Sequence, residues 1–406
     1  MHRLPALSAP VIRRLSPAVL LAAGMFLFSF ETVFADDTAS QIPGGVTLQA
    51  VGSETGSWES NPLMQFGKTK SLYGSITTPE LIVNDKTPTS LLSVDALLNE
   101  NIFNQSSFDS TDFHDKLGFN TQTQRWGAGF QEQTDYDTTR TSELFPTGLN
   151  GVIFNKAVRH FGISGAPQVS FSPNATNKFA LAGSAAFVTY DNPVFANYDL
   201  FSVTPSYTHN FDPLNAGVFS LQAQRYQTTN GPPVFDDSIG PSIGWIGTLT
   251  PRLSAKATVG FQESRQFGSG AVQASWSPQY TFATDIGFKG QQDTTHFLAS
   301  RNNYPFGNGT ESLLTSFSLT EIHDLNQRFA LNAGATYQSA TYQSTAVGNL
   351  DYQVIGNGGL TYHATDRLDV AATYQYRRET LVGTPGNAQD NMVTFGLIYR
   401  PRPWNL

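Results

Sequence analysis

Cysteine is absent from the 406 residues, and charge is sparse at 14%. The missing thiols suit a chain that crosses an oxidising compartment unfolded, and they rule out a lipid anchor on a mature N-terminal cysteine. Beyond residue 35 no apolar run approaches the roughly 18 residues that mark a membrane helix, so a helical span is excluded. Basic residues are also few, 24 against 32 acidic ones for a net charge of −8, and such a chain would be repelled by nucleic-acid phosphates. None of the seven histidines has a metal-ligand spacing. No twelve-residue calcium loop with its glycine and closing glutamate is present, so Asp135, Tyr136 and Asp137, the pair Asp236 and Asp237, and Asp390 read as solvated loop chemistry. The sequence asks for no cofactor.

What is present begins with a secretory signal over residues 1–35. His2, Arg3, Arg13 and Arg14 flank the 13-residue apolar run from Ala18 to Phe30, and Val33, Phe34 and Ala35 fill the cleavage positions. The mature chain is predicted to start at Asp36. Losing three Arg and one Glu takes its net charge to −10.

Four later stretches share one pattern: FALAGSAAF at 179–187, LSAKATVGF at 253–261, FALNAGATY at 329–337 and LDVAATYQY at 368–376. Each opens on a large apolar residue, keeps small or β-branched apolar residues at every second position, and ends on an aromatic. At about 3.3 Å per residue the two ends lie roughly 27 Å apart, the height of the apolar band of an outer-membrane barrel. One face is built for lipid and the other for water. Alternation also explains how a lipid-facing chain with 12% aromatics escapes a helix-length hydropathy window.

Short polar turns at 84–88, 121–124, 172–177, 211–215, 250–252, 277–279, 323–327 and 363–366 alternate with longer polar segments at 137–165, 191–198, 228–237, 293–309, 344–349 and 381–389. This asymmetry predicts an all-β, antiparallel, up-and-down transmembrane barrel with short periplasmic turns and longer extracellular loops. Strands are predicted at 45–57, 70–84, 89–103, 110–121, 124–136, 166–173, 177–190, 198–211, 214–227, 238–250, 253–266, 269–277, 281–293, 310–322, 327–340, 350–363, 367–380 and 390–401. That makes eighteen, with sixteen as the alternative, because the first pair alternates poorly and 36–62 reads equally as strand, plug or periplasmic extension. Prolines at 79, 167, 205 and 241 are expected at bulges or rims, where a missing donor is tolerated. The 137–165 segment is too long for a bare loop and is expected to carry a short helix or fold inward.

If Leu253, Ala255, Ala257, Val259 and Phe261 face lipid, then Lys256, Thr258 and Gln262 face the interior. The same phase predicts Asn332, Thr336 and Gln338, and Asp369, Gln375 and Arg377, as pore-lining residues. Such a lining is mostly uncharged and suits hydrated solutes or sugars. Trp126, Phe187, Phe261, Tyr337, Tyr374 and Tyr376 recur at strand ends and read as interface girdles. Tyr226, Tyr304 and Phe306 remain as candidates for ligand contact. His209 with Ser206 and Asp212 is the nearest approach to a nucleophilic cluster, but it falls at a periplasmic turn and reads as turn chemistry.

The stretches TTPELIVNDKTPTSLLSVDALLNENIF, TQRWGAGFQEQTDYDTTRTSEL and NMVTFGLIYRP resemble the bacterial putative β-barrel porin 2 family and the outer-membrane barrels of exosortase or exopolysaccharide systems. The likeness implies a barrel in the outer membrane of a Gram-negative bacterium, no catalytic residues, and a role as an exit for secreted polysaccharide served by a periplasmic exporter. The last strand, with Thr394, Gly396 and Tyr399, resembles a signal for the barrel-assembly machinery but departs from it at Pro401 and at Trp404-Asn405-Leu406. The expected surroundings are outer-membrane lipid and lipopolysaccharide. A general diffusion porin and a non-transporting structural or adhesive barrel are the other readings left open.

Overall fold

The computed structural model describes residues 45–67, 69–139, 148–149, 152–153, 158–268, 275–306, 309–341, 350–383 and 386–405. The predicted signal lies outside them. Its strands are β1 (Gly45–Glu59), β2 (Leu72–Lys86), β3 (Ser90–Phe103), β4 (Ser110–Gln122), β5 (Trp126–Thr138), β6 (Gly148–Leu149), β7 (Val152–Ile153), β8 (Arg159–Phe171), β9 (Asn177–Tyr190), β10 (Tyr198–Asp212), β11 (Asn215–Thr228), β12 (Val234–Thr250), β13 (Leu253–Gly268), β14 (Ser277–Lys289), β15 (Asp293–Phe306), β16 (Thr310–Asn326), β17 (Phe329–Thr341), β18 (Leu350–Thr365), β19 (Leu368–Leu381), β20 (Ala388–Tyr399) and β21 (Trp404–Asn405). β6 and β7 pair only with each other. The other strands run antiparallel, each beside the next, and β20 returns to β1, so eighteen strands close a barrel and β21 prolongs the last of them. Closure removes every free edge in principle, which is why a sheet can cross lipid.

Alternation decides which face is outside. Val259 and Phe261 are 58% and 50% exposed, as are Ile243, Phe219, Leu181 and Leu331 on the same phase of other strands, whereas Gln262 and Ser264 are buried. Trp126 packs on Phe171 at 4.5 Å and Phe179 on Tyr207 at 5.1 Å near the short turns, and Phe187 meets Phe201 at 5.7 Å near the long loops. These pairs mark the two interfaces of the hydrocarbon band. The exterior of β8–β20 is apolar between them. The exterior of β1–β5 is not: Glu54, Asp115 and Glu132 share the phase of Trp58, Phe113 and Phe130, and Thr134 Oγ1 donates to Glu132 Oε1 at 2.5 Å.

Short turns are tied by the side-chain oxygen of a residue that opens them. Asp212 accepts from Leu214 N at 2.7 Å, Asn326 from Arg328 N at 2.8 Å, and Thr250 and Thr365 from Arg252 N and Arg367 N at 3.2 Å. Such oxygens take up a backbone N–H that the turn would otherwise leave unpaired.

Several expectations are corrected. The strand count is eighteen, but the turn predicted at 277–279 and the loop predicted at 293–309 are strand, in β14 and β15, which join at 290–292, and most of the predicted strand 269–277 lies outside the described residues. Pro278 is the second residue of β14, and Arg301 and Asn303 on the outward phase of β15 hid that strand's alternation. The strand prolines lie neither at rims nor at register shifts. Pro79, Pro167, Pro205 and Pro241 each sit mid-strand, where two rungs are missing from one ladder and the other ladder is continuous. A proline can be housed this way because it has no N–H that would need an acceptor in the broken ladder. The 137–165 segment is strand at both ends, since β5 reaches Thr138 and β8 starts at Arg159, and apart from the β6–β7 pair most of its middle, where a short helix or inward fold is expected, lies outside the described residues. Past Tyr399, the Pro401-Arg402-Pro403 break interrupts pairing until Trp404 and Asn405 rejoin β1 opposite Leu48 and Thr47. Gln49 Nε2 bridges the break by donating to Pro401 O at 2.9 Å.

Candidate functional site in the barrel lumen

All nine predicted lining residues lie on the inward phase, opposite the exposed apolar positions. They do not form one site. Lys256 sits in register with Asp285, and Thr258 Oγ1 donates to Ala283 O at 3.4 Å. Asn332 covers Gly359, where an added Cβ would lie 2.7 Å from its Oδ1. Thr336 shares a 3.1 Å hydrogen bond with Ser318. Gln338 stands opposite Gln353, and Gln375 opposite Asn357. Asp369 is at the periplasmic mouth, where it accepts from His363 Nδ1 at 2.7 Å and pairs with Arg400. Arg377 is buried at the opposite end, in register with Asp390.

Two kinds of lining emerge. From β9 to β12 and β16 to β20 the inward residues form cross-strand hydroxyl pairs: Ser184 with Ser202 at 2.7 Å, Ser220 with Ser242 at 2.6 Å and Thr373 with Thr394 at 2.6 Å. Elsewhere the wall is acidic and carries imidazoles. His114 Nδ1 contacts Asp135 Oδ1 at 2.7 Å, Gln133 Nε2 donates to Asp135 Oδ2 at 2.7 Å, and His296 Nε2 meets Asp285 Oδ1 at 2.5 Å. Glu80 and Asp95, in neighbouring strands, face Lys116. The single-strand pattern missed this sector because each strand offers one or two charged residues, and only cross-strand register gathers them on one face.

The long-loop end is narrowed by groups that turn inward. Phe195, Tyr190, Tyr198 and Tyr226 pack with Val158 and Val188, and Leu63, Leu72, Ile76, Phe103 and Phe108 form a second cluster. Tyr226, a candidate for ligand contact, is fully buried among these rings; the side chain of Phe306 lies outside the described residues. The β15–β16 tip also leans in. Gln224 on the inner face of β11 donates to Glu311 of β16, and Asn303 Nδ2 reaches Glu311 Oε2 at 3.3 Å, a contact that crosses the lumen because β12–β15 separate those strands in the wall. A Cβ at Gly309 would lie 3.0 Å from Ala196 Cβ.

Next to this contact Asp236 and Asp237 part company. Asp237 faces outward between Arg225 (2.7 Å) and Arg265 (3.3 Å), and hydrogen bonds from Arg225 hold its carboxyl below the usual range. So charged a rung places this level above the hydrocarbon, among lipid headgroups. Asp236 faces inward, buried, and burial together with the Asp237 charge pushes it up to about 7. Burial also raises Glu311, with the Asp236 charge adding to it and the Gln224 and Asn303 bonds opposing.

His209, Ser206 and Asp212 are not brought together. His209 Nδ1 contacts Asn177 Oδ1 at 2.9 Å, and Asp212 caps its turn. Among the described residues no group of three or more potential ligands could hold a metal ion.

No family model matches the chain, the porin 2 family included, and no curated protein is similar to it. Solved barrels are similar in shape. OccK11 (OpdR) of Pseudomonas aeruginosa superposes with a TM-score of 0.44 at 8% identity over 89% of this chain and 98% of its own. OccAB2 of Acinetobacter baumannii gives 0.45 at 10% identity over the same shares, and the ferric citrate transporter FecA gives 0.45 at 8% identity over 86% and 78%. Superpositions this loose carry no argument about substrate. The chain is an outer-membrane β-barrel on the evidence of its own closed wall, largely apolar exterior and interface aromatics.

Proposed function

We propose that this barrel is a channel for small hydrophilic solutes across the outer membrane. The observation that carries the reading is the predominantly polar inner phase, hydroxyl pairs on one side and carboxylate clusters on the other, inside a wall whose exterior is largely apolar. Carboxylates at mid-height, Glu80, Asp95, Asp135 and Asp285, outnumber Lys116 and Lys256, so cations are favoured over anions. Release of a surface polysaccharide, which the family resemblance implies, finds support only in the sugar-like chemistry of the hydroxyl pairs. The inward loops and the β15–β16 tip favour a small solute over a polymer. Outer-leaflet lipopolysaccharide is the lipid we assign to the exterior, its phosphates meeting Arg225 and Arg265. Planar-bilayer recording tests the function. Steady, cation-selective conductance is expected, and silence across voltages would refute it in favour of a plugged scaffold.

A further inference from the structure

One joint in the wall differs from its neighbours. The ladder between β13 and β14 extends up to Ser264 and Ser277, and that between β15 and β16 reaches Phe306 and Thr310. Between β14 and β15 it stops at Phe282 and Arg301, so among the described residues 277–281 and 302–306 face each other without a rung. The cause is the inward lean of the β15–β16 tip. Leu313 and Leu314 are successive residues of opposite phase, yet both are buried at 4% and 5%, which needs protein on both faces of β16. Gln224 and Asn303 on Glu311, with Gly309 against Ala196, hold the tip over the lumen and draw β15 away from β14.

Behind the seam is a cleft lined by Gln222, Ser242, Thr258, Gln262, Thr281 and Asn302, all inward-phase residues. Phe261 and Phe282 line it as well, and these belong to the outward phase. Phe261 presents its backbone carbonyl to Gly240, so the cleft backs onto the unpaired stretch from the luminal side. It also meets the place where Gly240 and Pro241 lack rungs to β13, and Gly240 is needed there because a Cβ would fall 2.1 Å from Phe261 O. On the membrane side, among the described residues, the Arg301 guanidinium lies over the Tyr280 ring at 4.4 Å and bridges the seam. Tyr280 lies at the upper aromatic level beside Phe261, so the seam opens where headgroups meet hydrocarbon.

We propose that the β14–β15 seam is a lateral portal for an amphiphile, whose polar head passes between the strands toward the hydroxyl- and amide-lined cleft while its hydrocarbon tail stays in the outer leaflet. A backbone edge inside hydrocarbon would be costly, but at the headgroup level water and lipid polar groups satisfy it. Arg301 on Tyr280 is the latch, and withdrawal of the β15–β16 tip sets the width. The portal goes beyond the channel reading and fails separately from it, since conductance reports the lumen and amphiphile transfer reports the seam.

The test uses the absence of native cysteine. Thr281→Cys with Asn302→Cys places two thiols on the inward phase, one rung above the last pair, so that oxidation ties the seam shut. Transfer of a fluorescent lysophospholipid through the protein in vesicles is measured beside ion conductance in the same preparation, which also certifies folding. Transfer is expected to fall to that of empty vesicles on oxidation, to return on reduction, and to rise above wild type in Arg301→Ala, with conductance little changed throughout. Equal transfer by the oxidised and reduced forms, or conducting wild-type protein that moves no lysophospholipid, would overturn the proposal.

Discussion

The assignment of inside and outside can be tested on adjacent residues of one strand. Val259 projects from the middle of β13 between Ile243 and Phe282 of the flanking strands, and it is 58% exposed to what must be lipid. Thr258, its neighbour, points to the cleft on the inner side. An arginine at the bilayer midplane of a barrel costs about 2–4 kcal/mol, falling to about 0–1 near an interface. Val259 lies between the midplane and the Phe261 girdle, so Val259→Arg should cost about 1–2 kcal/mol and lower the folded-to-unfolded ratio by roughly 5- to 30-fold at 1.4 kcal/mol per decade. Thr258→Arg gains a charge of equal size in a wet lumen and should cost about 0.5 kcal/mol. Leu253→Arg, at the short-turn end of the same strand, should fall between them at about 1 kcal/mol or less. Urea unfolding of the three variants in lipid vesicles, followed by tryptophan fluorescence, gives the comparison. Equal destabilisation by Val259→Arg and Thr258→Arg would refute the two-sided wall, and a larger cost at Thr258 would invert it.

Further outcomes follow from other parts of the molecule. The folded-state values of Asp236 and Glu311 lie above those of the unfolded chain, so their contribution to stability is complete below the ordinary carboxylate range and is lost as pH rises toward and past about 7. Amide exchange in β16 near Glu311 should accelerate between pH 5 and pH 8 beyond its intrinsic pH dependence in wild type and much less in Glu311→Gln; an unchanged difference would remove the carboxylate pair as the cause. Replacing Asp135 and Asp285 by asparagine should reduce cation selectivity in reversal-potential measurements, and a selectivity that stays put would show that ions take another path. Leucine at Asp115 and Glu132 together should stabilise the barrel in vesicles by about 1–2 kcal/mol, since carboxylates on a lipid face carry a penalty smaller than that of arginine. Destabilisation would mean that this sector of the wall is covered by something other than lipid.

Much of this protein is legible in its sequence, because a two-residue period needs no partner to be recognised. The strand 177–190 coincides with β9, and the outward phase of Val259 and Phe261 follows from spacing alone. Turn oxygens such as Asp212 and Asn326 are equally local, for they bond donors two residues away. Tertiary structure decided everything that depends on which strands lie side by side or across the lumen. The His114–Asp135 and His296–Asp285 contacts exist only through register, β14 and β15 were misplaced where proline and arginine interrupt the pattern, and the Gln224–Glu311 contact joins residues that no local rule relates. Lipid acts on each strand one at a time and writes its demand into every second residue. A lumen is made by all eighteen together, so its chemistry appears only once the barrel closes.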